Sequence, residues 1–216
     1  MPSTRAVDIR EGAMKLFYSE TSPFVRKCLV TAHELGMRER IELVACAAHP
    51  VNRDKTVVVK NPLGKIPTLL TDDGAVLYDS RVICEYLDAL GGGRLLPAQG
   101  PARWSVLADQ ALADGILDAA VLVRYETAVR PLSLRWSDWI AGQTEKVTSG
   151  LEAIERRAAG WAQRLDIGTI AIGCALGYLD FRFASLAWRE KHPATAAWFD
   201  EFAKRSSMVA TRPPAA

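Results

Sequence analysis

Residues that hold metals or build disulfide scaffolds are scarce in this sequence. Its four cysteines, Cys28, Cys46, Cys84 and Cys174, are scattered and form no C-x-x-C pair. That spacing excludes a thioredoxin-type redox motif and predicts free, buried thiols in a reducing, cytoplasmic setting. The three histidines, His33, His49 and His192, lie far apart and match no ligand spacing, so no metal is expected. There is no long basic run and the net charge is only +2, which gives no reason to expect nucleic acid or an anionic membrane as a partner. The most apolar stretch, TIAIGCALGYL from Thr169, is too short to cross a bilayer and predicts a buried helix. No internal repeat or low-complexity tract is present.

What is there suits two small domains. The chain has 216 residues, about half of them apolar and a quarter charged, enough to bury a good core. Residues 1–13 precede the first strand signal. Arg5 and Arg10 resemble a transit peptide in composition, but Asp8 and Glu11 argue against one, and a loose extension is expected. Lys15–Tyr18 then reads as a buried strand. From Pro23 the residues Val25, Cys28, Leu29, Ala32 and Leu35 form a helical stripe, with Pro23 suited to its first turn and Gly36 to its exit.

A second strand is expected from Arg40. The segment through Lys60 reads as a short helix or an irregular edge. Thr68–Leu70 and Ala75–Leu77 flank Asp72-Asp73-Gly74 and predict a hairpin. Val82, Ile83, Tyr86, Leu87 and Leu90 then share one helical face. The first domain, residues 14–91, thus reads β-α-β-(α)-β-β-α. Gly and Pro cluster at 92–99, the expected linker.

From Pro101 the pattern is helical throughout, giving an all-α second domain over 100–210. One helix is expected from about Ala102 to Thr127, and a second carries Ile140, Val147, Leu151, Ile154 and Ala158. A third runs from Thr169 toward Trp188. A fourth follows His192-Pro193 with Trp198, Phe199 and Phe202.

Three local motifs stand out: Thr21-Ser22-Pro23-Phe24-Val25-Arg26 after the first strand, Asn61-Pro62-Leu63-Gly64-Lys65-Ile66-Pro67 before the third, and Asp79-Ser80 opening the last helix of the first domain. Ser22 and Asp79-Ser80 suit helix caps, whatever else they do. Pro67 opens a strand, so it sits at an edge, in a turn, or in a cis bond. In order, spacing and layout these motifs resemble the cytosolic glutathione transferases, over residues 14–210. The run Ser-Pro-Phe-Val-Arg-Lys is most similar to bacterial members with serine where others carry a catalytic cysteine.

The resemblance implies a thioredoxin-like α/β N-terminal domain with a mixed four-stranded sheet, then a helical-bundle C-terminal domain. It implies that Pro67 is cis and that the backbone of Ile66 pairs with glutathione. Asp79 and Ser80 would read the γ-glutamyl ammonium and carboxylate at a helix mouth. Ser22 is the expected contact to the thiol, with Thr21 and Tyr18 as competing candidates. Lys55 is a candidate for the glycine carboxylate, among Asn52, Arg53 and Lys65. Without a cysteine at position 22, disulfide exchange is not expected, and Cys28, on the apolar face, is expected in the core.

Two features of the helical half raise questions. Asp114 and Asp118 sit one turn apart, a like-charge conflict that points to a partner across a dimer interface or in the cleft, or to plain solvation. Trp104, Tyr125, Trp136 and Trp139 are expected in a pocket or in the core. The family usually opens its buried helix with Ser/Thr-x-x-Asp. Here Thr169 stands as a cap without that acidic partner, unless Asp166 substitutes.

The activity implied is transfer of glutathione to a small, largely apolar electrophile by a homodimer, with glutathione as co-substrate. A non-catalytic binding or stress-response relative, and a glutathione-dependent isomerase or dehalogenase, are the alternatives.

Overall fold

The first strand forms where the apolar run ends at polar residues. In the computed structural model, which describes residues 13–214, β1 is Met14–Tyr18. The expected N-terminal extension lies, but for its last residue, outside the described residues. Helix α1 is Pro23–Glu34, and it exits through Gly36 at φ 69°. β2 is Ile41–Ala45, preceded by a single 3-10 turn at Arg38–Arg40. The segment with no firm pattern holds a one-turn helix, α2, Lys55–Val58. β3, Thr68–Leu70, and β4, Val76–Leu77, make the hairpin, and α3 is Ser80–Leu90. The sheet order is β2-β1-β3-β4, with β1 parallel to β2 and antiparallel to β3.

The inward face of α3 differs from the expected stripe. Ile83, Cys84 and Leu87 are buried and so is Asp88, whereas Val82 and Leu90 are 46 % and 45 % exposed. The helix presents to α1 and the sheet a face rotated from the most apolar one. Asp88 is inside because its carboxylate is used: it accepts the backbone N–H groups of Leu95 and Leu96 at 2.8 and 3.0 Å. The Gly-rich stretch after α3 is thereby pinned. Leu95 in turn accepts the N–H of Ile167 at 3.0 Å.

The helices that follow are α4 (Pro101–Ala128), α5 (Ser137–Ala158), α6 (Ile167–Arg182), α7 (Trp188–Lys191), α8 (Pro193–Phe202) and α9 (Ser206–Ala210). α7 and α9 are too short for a periodic signal. Gly150 lets α5 close on α4, since a Cβ there would stand 2.5 Å from Ile116 Cγ1. α6 is the buried centre and stops before Trp188. There the chain folds back, and Trp188 Nε1 donates to Asp180 at 2.8 Å.

The cap of α6 corrects the expectation for Thr169. Asp166 is the cap and Thr169 the third helical residue, so the usual order of the two is reversed. Asp166 Oδ1 accepts the Thr169 N–H at 2.9 Å, and Thr169 Oγ1 accepts the Asp166 N–H at 3.0 Å. Both orphan amides are satisfied, so the helix start is not weakened. We expect Asp166→Ala to cost about 1–2 kcal/mol in a urea melt. A loss near zero would show that the exchange of residues had left the cap without energetic weight.

Candidate functional site

Strand register brings the three motifs together. Phe17 pairs with Thr68, and Leu69 with Leu77. β1 therefore leaves the sheet toward Thr21-Ser22 at the end where β3 enters from Ile66-Pro67 and β4 leaves toward Asp79-Ser80. β2 runs parallel to β1, with Tyr18 opposite Ala45, so the chain toward Lys55 departs from that same end.

Ser22 is the cap of α1. Its Oγ accepts the Val25 N–H at 3.3 Å, and Pro23 follows at the first helical position. The oxygen is used as an acceptor; the hydroxyl hydrogen can still be given to a ligand. Thr21 and Ser19 exchange a hydrogen bond between hydroxyls at 3.3 Å. Tyr18 is half-buried at the end of β1.

The Ile66–Pro67 peptide bond is cis. Among the described residues, the Ile66 amide and carbonyl enter no backbone hydrogen bond. The loop that carries them is held by Asn61, only 1 % exposed, whose role the sequence reading passed over. Asn61 Nδ2 donates to Lys65 O and Thr68 Oγ1, both at 3.0 Å, and Oδ1 accepts the Leu63 N–H at 3.0 Å. The available signal was Asn two residues before an N–H in a turn-rich stretch, the Asx-turn pattern.

Asp79 caps α3, accepting the Arg81 N–H at 2.9 Å from an exposed position. Ser80 beside it is 3 % exposed. Lys55 is the exposed first residue of α2 and forms no ion pair among the described residues.

The Asp114 conflict resolves within the chain. Lys27 Nζ stands 2.6 Å from Asp114 Oδ1 and Arg81 Nε 2.8 Å from Oδ2, tying α1, α3 and α4 together. Neither a second copy nor solvent is needed. Lys27 is wholly buried and Asp114 is 1 % exposed. Burial pulls the Lys27 ammonium down, but the charge and hydrogen bond of Asp114 outweigh it, and the net shift is upward. Asp118 is exposed, with its carboxyl raised by partial desolvation and by Asp114, against opposing effects of Arg81 and Lys65. A mixed-charge cluster thus borders the mouth of α3.

The four aromatics expected in a pocket or in the core are not core residues. Trp104, Trp136, Trp139 and Tyr125 are 67, 61, 40 and 36 % exposed. Two other spaces adjoin Ser22. One is a crevice of about 10 Å³ against Tyr178 and Phe181 of α6. The other is a cavity of about 310 Å³ between the β1–α1 turn, α1, β2 and residues 210–214. Cys28, Cys84 and Cys174 are buried, whereas Cys46 is only partly so. Cys28 Sγ lies 4.0 Å from Cys84 Sγ inside the core, and its thiol is raised chiefly by burial.

Comparison with known proteins adds relatives to this geometry. The family model for the glutathione S-transferase N-terminal domain matches residues 21–90, and that for the C-terminal domain residues 137–201. The chain is 35 % identical over 207 residues to the GST-like protein YibF of Escherichia coli, covering 94 % of this chain and all of that one. A glutathione transferase family member from Pseudomonas fluorescens, solved with bound glutathione, is 49 % identical with a TM-score of 0.91, over 94 % of this chain and 100 % of its own. A second structure from that organism, with bound S-(propanoic acid)-glutathione, is 48 % identical with a TM-score of 0.87 over the same shares.

Proposed function

Because the chain belongs to the glutathione S-transferase family, we propose that it binds glutathione at the shared end of its sheet and activates the thiol for attack on an electrophile. The observation that carries this reading is the convergence of Ser22, Ile66 and Asp79-Ser80 through strand register. Each has a chemical part. The Ile66 amide and carbonyl pair with the backbone of the cysteinyl unit. The open amides at the start of α3 take the γ-glutamyl carboxylate, and the Asp79 carboxylate takes the ammonium. Lys55, exposed at the start of α2, takes the glycine carboxylate.

Ser22 donates its hydroxyl hydrogen to the sulfur while its oxygen continues to cap α1. The positive end of that helix favours the thiolate over the thiol. The thiolate is then the nucleophile, and no protein side chain is alkylated. A Pseudomonas fluorescens relative that holds a glutathione thioether supports room for a substituent on sulfur. The exposed Val82, Leu90 and Trp104 on α3 and α4 support pairing with a second copy.

The test is calorimetric titration of glutathione in two buffers with different ionisation heats, near neutral pH. The expected result is binding with net proton release, as the thiol ionises in the site. Binding without release supports a carrier that reads glutathione but does not activate it. No binding overturns the proposal.

A further inference from the structure

We propose that the acceptor substrate carries a carboxylate, held by Arg26 and Arg212 in the larger cavity beside Ser22. This rests on the transferase reading above: a group attached to a sulfur at Ser22 enters the space that Ser22 lines.

The wall of that cavity is cationic, although the electrophile expected from the sequence is largely apolar. Arg26, Arg38 and Arg212 line it, three guanidinium groups against the single carboxylate of Glu20, with His33 beside them. Val25, Leu29 and Leu43 supply apolar lining. Two nearby acids are occupied elsewhere. Glu34 takes Arg205 through two bonds of 2.8 Å, and Asp180 takes Arg189 at 2.6 Å as well as Trp188.

Arg26 is the decisive residue. It is 9 % exposed, yet it has no carboxylate partner among the described residues. Its Nη2 donates to Met208 O at 3.0 Å and its Nε to Thr211 Oγ1 at 3.4 Å. Those two bonds anchor α9 and the residues after it, but a guanidinium has five N–H donors. Burial pulls its pKa down, the mark of a cation with too little compensation. Room for the group is built into α6: a Cβ on Gly177 would stand 2.3 Å from Arg26 Nη1. An anion delivered by the substrate completes the set, and the planar fork suits a carboxylate.

For a 2-bromocarboxylate the chemistry balances simply. The thiol proton goes to solvent, the thiolate lone pair forms the C–S bond, and bromide leaves with the C–Br pair.

Binding of the two matched products tests this without relying on turnover. S-(carboxymethyl)glutathione and its neutral amide, S-(carbamoylmethyl)glutathione, differ only at the group Arg26 and Arg212 would hold. Calorimetry on the full chain should show the carboxylate bound about tenfold more tightly. Arg212→Ala, at an exposed position, should lower that preference by about threefold. Arg26→Lys keeps the charge but loses the fork, and should lower it too, with a thermal melt to confirm folding. Equal binding of the two conjugates by a protein that binds glutathione overturns the inference and leaves the transferase reading standing. A preference untouched by either variant overturns the assignment to this cavity. Failure to bind glutathione and both conjugates sinks the transferase reading itself, and this inference with it.

Discussion

Ser22→Ala is expected to lower kcat/KM about a hundredfold with any electrophile the protein accepts, the scale seen when one preorganised donor is removed from a developing or resident anion. Two effects share that change. The proposed donation from the hydroxyl to sulfur is removed, and the cap on the Val25 N–H at 3.3 Å is lost. The second effect is a stability cost of about 1 kcal/mol and does not by itself touch the thiol. A pH–rate profile separates them: losing the donor raises the apparent pKa of the bound thiol, whereas a weakened helix start lowers activity at all pH values alike. Ser22→Gly, which preserves much of the capping, should lose the same activity at less cost to stability. An unchanged profile in both variants would move the role to Thr21, whose hydroxyl lies 3.3 Å from that of Ser19 in the same turn.

Asp114→Ala is expected to cost about 3–5 kcal/mol, because it strands a buried ammonium. Lys27 is wholly buried, and Asp114 at 2.6 Å is its only carboxylate partner among the described residues. Arg81 is half exposed and can turn to water, so most of the loss comes from Lys27. The pH dependence has a definite sign. In the intact protein the Lys27 pKa is raised on folding, so its contribution is full below the ordinary lysine range and fades as pH climbs through the raised value. In Asp114→Asn both contributions of Asp114 are gone, burial, the largest cause, is opposed only by Cys84 and Cys28, and the folded-state pKa is expected to fall below the unfolded one. The unfolded chain then binds the extra proton, and the variant gains stability as pH rises toward the lysine range. Denaturant melts of both proteins from pH 7 to 10 read this directly. A variant that loses less than about 1 kcal/mol, with no pH trend, would mean that water reaches Lys27.

Lys27 also shows where the linear pattern misleads. It flanks the apolar stripe of α1 and reads as a solvated charge. But α1 is packed by the sheet on one side and by α3 and α6 on others, so positions beside the stripe go inside as well. Arg26, Lys27 and Thr31 are buried for that reason. On α3 the difference has another source: Asp88 lies inward because it accepts the Leu95 and Leu96 N–H groups, while Val82 and Leu90 lie outward.

Local chemistry carried much of the reading. Ser-Pro can only open a helix in a few ways, Asp-Asp-Gly between apolar runs makes a hairpin, and Asp-Ser caps. Those rules act over a handful of residues, so β1 to α3 and the motifs at their ends were legible in order and type. Which side chains share a surface is a different matter, because it depends on register and on how helices cross. Phe17 opposite Thr68 draws the three motifs to one end of the sheet. Asp114 finds Lys27 and Arg81 across 87 and 33 residues of chain. Arg26 meets Met208 across 182 and becomes part of a cationic wall instead of a solvated face. Pairings over such separations leave no periodic trace in the chain, since either partner alone looks like an ordinary charged residue on a helix.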